Sequence, residues 1–400
     1  MEVKPGYKQT EAGAIPEDWS VQALGDISDC LDSLRVPLND TQRAKRRGDI
    51  PYCGANGVLD YIDGFVVDDD IILIAEDGGY FDEYATRPIA YRMAGKCWVN
   101  NHAHILKARV GTDQGLIYFS LVHKNILRFL ASGTRAKLNR AELDKIEVPL
   151  PPTKAEQEAI AEALSDADAL IESLEQLLIK RRQLKQGAMQ ELLTGKKRLP
   201  GFSGEWETKV LENVLQIPVT DGPHLTPRFL NDGIPFLSVN NLVDNRIDLS
   251  SLRYISREDH AEFSRKCRPQ RGDVLLGKAA SVGLVAIVDM DMEFNIWSPI
   301  ALIRVNSGNI PKFVYYSFQS ATAIRQIELL TNSSSQGNIG MGDIERLVLL
   351  LPEKEEQQAI ADVLSDMDAE IAALETKLAK AHQLKRGMMQ ELLTGRIRLV

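Results

Sequence analysis

The chain has 400 residues, 44% of them hydrophobic and 26% charged, with a formal net charge of −9. That length exceeds what one hydrophobic core organises, so at least two domains are expected, and without a run of about 18 apolar residues no helical membrane span is expected. The acidic balance argues weakly against nucleic acid as the main partner, and four cysteines without CxxC or zinc-type spacing fit a reduced, cytoplasmic protein.

The N-terminal stretch MEVKPGYKQTEAGAIPEDW has no apolar core behind its basic residues, so it does not read as a signal peptide. A first variable segment, 1–151, starts with Ile15-Pro-Glu-Asp-Trp19 followed by Leu24 and Ile27. Arg43, Lys45, Arg46 and Arg47 form a basic cluster, and clustered cations can bind phosphate on a chain that is acidic overall. Short apolar runs at Ile71–Ala75 and Trp98–Lys107 predict strands of an α+β domain. Asn100, Asn101 and His102 lie in or beside the second run. On one strand His102 and His104 would share a face, but no Asp, Glu or Cys beside them completes a metal set. The segment closes with SGTRAKLNRAELDKIEVPLP: a loop carrying Thr134, Arg135 and Lys137, a short helix, and an apolar strand.

Residues 152–199 predict one long helix. Ile160, Leu164, Ala167, Ile171, Leu174 and Leu178 form an a/d heptad seam. Pro152 suits the first turn, Glu156 and Glu158 complement the N-terminal dipole, and Gly195 supplies the stop. Gly187 marks a possible bend, and the methionine-containing MQELLTG tail a docking surface.

The second variable segment, 200–351, opens on Phe202-Ser-Gly-Glu-Trp206 with Leu211 and Val214 at the same spacings as in the first. Its candidate recognition residues are His224 and Thr226 in DGPHLTP, Asn240 and Asn241 after an apolar run, and Ser334, Ser335, Gln336 and Asn338 in NSSSQGN. Asn and Gln can bond adenine in bidentate fashion, and Ser or Thr can reach bases or phosphates. Arg265, Lys266, Arg268 and Arg271 form another basic cluster. Gly272–Lys278 matches GxxxxGK, yet Ala279 stands where a phosphate-binding loop needs Ser or Thr, and the intervening DVLL reads as a strand. Lys278 therefore counts as a DNA-contact candidate, not an ATP ligand. No nucleophile elbow, paired cysteine set or nucleotide-binding glycine motif appears, so the chain does not read as an enzyme.

Residues 352–399 repeat 152–199 without a gap, and 30 of the 48 pairs are identical. A single helix of about 40 residues, ~60 Å at ~1.5 Å per residue, cannot bury its seam alone. The order segment–helix–segment–helix predicts an antiparallel coiled coil, with the two variable segments at opposite ends about an approximate twofold axis. The competing reading is a coiled-coil scaffold that joins protein partners and never touches DNA.

Taken together, PxxxEQxAIA…LSDxDA, MQELLTG…RL, the IPEDW and FSGEW openings, SGTRAKL, WVNNHAHIL and DGPHLTP…GIPFLSVNNL resemble the specificity subunit of Type I restriction–modification systems along the whole chain. The resemblance implies two target-recognition domains (1–151 and 200–351), each reading half of a split DNA site. It implies that the helices (152–199 and 352–400) act as a spacer and dock two methyltransferase subunits, which bind S-adenosylmethionine. A motor–nuclease subunit completes the assembly, so ATP and magnesium are also expected on partners and no cofactor on this chain.

Overall fold

The computed structural model describes residues 5–10, 13–131, 136–332 and 337–399. The chain divides into two compact units, Met1–Glu175 with Thr376–Val400, and Gln176–Glu375. These limits differ from those expected from the repeat. Each long helix is shared: Lys154–Leu192 starts in the first unit and ends in the second, and Lys354–Leu392 does the reverse. Among the described residues no helix is long and apolar enough to cross a membrane.

In the first unit a six-stranded sheet has the order Ser28–Cys30, Ala103–Ala108, Val67–Ala75, Ala90–Val99, Arg47–Gly54, Gly57–Ile62. All neighbours are antiparallel except Arg47–Gly54 with Ala90–Val99. The apolar run Ile71–Ala75 is a central strand buried on both faces. Alternation sends Ile72 and Ile74 to one core cluster and Ile71 and Leu73 to the other. Trp98–Lys107 is not one strand, as expected above, but two strand ends joined by a turn at Asn100–His102.

The second unit carries a four-stranded sheet, ordered Thr220–Asp221, Ile300–Ile303, Val274–Gly277, Val285–Ile287, and a three-stranded one built on Ile234–Leu237. Ala301 and Ile303 enter one core, Ile300 and Leu302 another.

Both units are closed the same way. The strand after the opening tryptophan pairs with the strand before the long helix: Ser20–Ala23 with Glu147–Leu150, and Glu207–Val210 with Val348–Leu351. Ile160, Leu164, Ile171 and Leu178 of the first helix seam and Ile360, Leu364 and Ile371 of the second are buried, whereas Ala167, Leu174, Met367, Leu374 and Leu378 are only half-buried, and the first turns serve the domains. Ile160 and Leu164 pack with Ile15, Trp19, Leu116, Phe119 and Leu392; Ile360 and Leu364 pack with Leu192, Leu193 and Phe313. Glu156 and Glu356 do more than complement a dipole, because both are buried. Glu156 accepts from Arg398, and Glu356 accepts from Arg198 at 2.6 and 2.7 Å. The neighbouring Gln157 accepts from the Asp113 N–H, and Gln357 from that of Ile310, both at 2.9 Å. Each glutamine thereby satisfies a backbone donor at the start of a short helix, Gln114–Leu121 or Pro311–Phe318.

Within each unit the two helix portions run antiparallel. Asp168 pairs with Lys385 and Glu175 with His382 in the first; Arg181 pairs with Glu370 and Lys185 with Asp368 in the second. Gly187 and Gly387 do not interrupt their helices. Gly195 (φ 68°) and Gly395 (φ 67°) end them in the left-handed conformation, as expected.

Candidate nucleic-acid interface

In the first unit the candidate residues converge on a charged cluster at one edge of the large sheet. Glu76 follows the central strand. It receives Lys137 at 2.7 Å and Arg35, whose other terminal nitrogen is 3.2 Å from Asp32. Burial pushes the Glu76 carboxyl up, but hydrogen bonds from Lys137 and Arg35 hold it below the usual range. His104 meets Asp32 at 2.6 Å and His102 meets Asp77 at 2.6 Å, so the two histidines address different partners and do not share a face. His102 sits in the turn, which explains the departure from strand alternation. Asn100 is buried and its side-chain oxygen accepts from the His102 N–H at 2.8 Å, which shapes the turn. Asn101 is exposed. Thr134 and Arg135 lie outside the described residues.

The first basic cluster splits in two. Arg43 pairs with Asp40 and Asp60 and sits 5.1 Å from the Tyr52 ring; Arg46 pairs with Asp63 and sits 4.5 Å from the Trp98 ring. Both are therefore engaged within the domain. Lys45 and Arg47 are exposed and have no side-chain partner among the described residues.

The second unit builds its cluster on Asp221, which is fully buried. Lys266 and Lys278 both ion-pair with it, the latter at 3.1 Å, and His224 Nε2 lies 3.2 Å away. Burial pushes Asp221 up, and the nearby ammonium groups of Lys266 and Lys278 hold it below the usual carboxylate range. Lys278 is thus tethered, with 12% of its side chain exposed, whereas Lys266 keeps 52% exposed. Lys266 was absent from the recognition residues expected above; only its place in a basic run marked it. Next to Asp221, a Cβ on Gly222 would come within 1.6 Å of the Ile296 carbonyl oxygen, so only glycine fits where DGPHLTP leaves the sheet. His224, Thr226 and Asn240 are exposed. Asn241 is buried: it accepts from the Ser238 N–H and donates to the Asp248 and Ser251 carbonyls, and so braces a turn. Asn338 is exposed and bridges Ala279 and Asn332. Ser334, Ser335 and Gln336 lie outside the described residues. Gly272–Lys278 runs into a strand followed by another strand, and Lys278 is committed to Asp221, so the GxxxxGK match has no phosphate-loop geometry.

Each unit therefore places a buried carboxylate, held by basic side chains, beside the segment that closes it. The exposed part of such lysines can meet a phosphate while exposed amides and hydroxyls nearby reach base edges.

Comparison with known proteins gives the family. The family described as "Type I restriction modification DNA specificity domain" matches residues 16–180 and 203–383. A putative Type I restriction enzyme specificity subunit of Haemophilus influenzae is 26% identical over 74% of this chain and 75% of its own length. The putative MjaX specificity subunit of Methanocaldococcus jannaschii is 26% identical over 98% and 97%. A crystal structure of the Type I restriction–modification S subunit from M. genitalium shares the fold, with a TM-score of 0.67 at 13% identity and 98% coverage of both chains. With two matched domains that span most of its length, the chain belongs to the Type I restriction–modification DNA specificity family.

Proposed function

We propose that each unit reads one half of a bipartite double-stranded DNA site, and that the shared helices set the gap between the halves. The observation that carries this reading is one closure around two unlike interiors, each with a cationic cluster at its closing segment. Half-sites read from one face of B-DNA lie about one helical turn apart, ~34–36 Å, and a 39-residue helix at ~1.5 Å per residue is long enough to span that distance.

The helices also offer docking surfaces. Leu170, Ile179, Leu184 and Leu384 are exposed large apolar residues on them and are the proposed points of contact for protein partners. Two methyltransferase subunits are the proposed occupants, with a motor–nuclease subunit completing the assembly. S-adenosylmethionine, ATP and magnesium belong to those partners in this reading, and this chain contributes recognition without catalysis. The test is a gel-shift selection of random duplexes by the chain together with its methyltransferase subunits. Recovery of a two-part motif with a fixed gap is expected; recovery of no motif would leave only a protein scaffold.

A further inference from the structure

We propose that His104 is held as a doubly protonated imidazolium, and that this buried cation positions the segment closing the first recognition domain. The consequence for DNA rests on the function proposed above; the protonation itself does not.

The His104 ring is buried between two acceptors. Nε2 lies 2.8 Å from the Leu138 carbonyl oxygen, and Nδ1 lies 2.6 Å from Asp32 Oδ2 and 3.9 Å from Glu76 Oε2. A neutral imidazole has one N–H, so it would leave one of the two short contacts between opposed lone pairs. The alternative, a proton on Asp32, is disfavoured by its surroundings. Arg35 lies 3.2 Å from Oδ2, and the Ile105 N–H donates to Oδ1 at 3.0 Å. Both contacts favour the carboxylate anion, so the proton stays on the ring.

The groups facing His104 come from every neighbouring element: Cys30, Asp32 and Arg35 from the edge strand and the turn after it, Glu76 from the central strand's end, Lys137 before Leu138, and Arg140 beyond it. Burial and Asp32 push the Cys30 thiol up to about 12, so it stays uncharged. Asp32 and Glu76 face Arg35, Lys137 and Arg140, while Asp77 lies beside Lys137 and Asp144 holds Arg140 at 2.8 Å. Cys30, Asp32 and His104 lie within 4.8 Å of one another, but Arg35 already bridges Asp32 and Glu76, and a proton suffices for the His104–Asp32 contact.

Leu138 is fixed from both sides: its N–H donates to the Glu76 carbonyl at 2.7 Å, and its own carbonyl receives His104. The matching residue of the second unit, Ile339, donates to the Lys278 carbonyl at 2.9 Å, over a cluster on Asp221 made of two lysines and the largely exposed His224. Lysines ordinarily keep their charge to about pH 10, histidines only to about pH 6.5. A folded state that needs the imidazolium at the Leu138 carbonyl is therefore favoured at lower pH and weakened as pH rises, whereas Ile339 donates to the carbonyl of a lysine.

The experiment uses the full chain with 15N- and 13C-labelled histidine, the His104 signal being assigned by its loss in His104→Gln. Two protonated ring nitrogens are expected at about pH 7. Hydrogen exchange of the Leu138 amide, corrected for its intrinsic rate, should accelerate about tenfold from about pH 7 to about pH 9.5, while Ile339 stays constant. Should His104→Gln not fold, Asp32→Asn serves: it keeps a side-chain acceptor but removes the charge, and the ring should turn neutral at about pH 7. A neutral ring in the wild-type chain, or parallel acceleration of Leu138 and Ile339, overturns the proposal. A confirmed imidazolium with no pH dependence of DNA binding in the assembled complex would instead sink the recognition reading of this segment.

Discussion

The two units share a closure and differ in almost everything inside it. In the first, Arg398 joins Asp18 and Glu156 and stands 5.8 Å from the Trp19 ring; in the second, Arg198 joins Glu356 and stands 5.6 Å from the Trp206 ring. The Trp206 indole also donates to Glu356 at 3.2 Å, whereas the buried Trp19 indole N–H has no acceptor among the described residues. Inside these closures one unit holds a six-stranded sheet, the other two smaller sheets. The lesson is a division of labour. Residues that meet the long helices repeat in kind, because they solve one packing problem twice. Residues of the charged clusters are released from that constraint, and the two clusters are built from different groups.

The strongest way to break this comparison is to exchange an interior. Replacing residues 200–351 with the matching segment of another family member should change one half of the recognised DNA site completely and leave the other half intact. Methylation mapping on genomic DNA reports both halves. A change in the half read by the untouched unit would contradict the modular view.

The closures can be tested against each other with Gln157→Ala and Gln357→Ala. Each strands a backbone N–H, of Asp113 or Ile310, and should cost about 1–3 kcal/mol. Hydrogen exchange should localise the first loss to residues 5–175 and the second to 176–375. Unequal costs would show that the repeated motif does not do the same work twice.

Acid should affect both clusters in the same direction. Asp32, Glu76 and Asp221 are all held below their ordinary values in the fold. Their stabilisation is complete above the usual carboxylate range and is lost as pH falls through and below it. Asp221→Asn should flatten this acid dependence in the second unit only, as read by urea midpoints or exchange at a series of pH values.

The smallest effects separate the two halves of the first basic cluster. Lys45→Ala with Arg47→Ala should leave stability unchanged and reduce the salt slope of DNA affinity in the assembled complex by about 2. Arg43→Ala with Arg46→Ala should do the opposite, costing about 1 kcal/mol of stability through lost ion pairs and ring contacts with little change in salt slope. Equal salt slopes for both variants would mean that exposure does not distinguish them.

The amino-acid sequence by itself determined what depends on short range. The 200-residue offset, the two helices and their seam, the glycine stops, the paired opening and closing segments and the family are all legible there. Periodicity and capping need only residues within a few turns of each other. Tertiary structure alone decided which polar residues are free. Asn100 and Asn241 became turn braces, Arg43 and Arg46 became domain contacts, and Lys278 was tethered to Asp221, while Lys45, Arg47, Asn101 and Thr226 remained exposed. It also joined Glu156 to Arg398 across 242 positions and surrounded His104 with Asp32 and Glu76, which lie 72 and 28 positions before it. The physical reason is that a charge or an amide carries no label for its partner. Its role is set by whichever opposite charge, carbonyl or solvent the fold brings within hydrogen-bond distance, and here those partners are mostly distant in sequence.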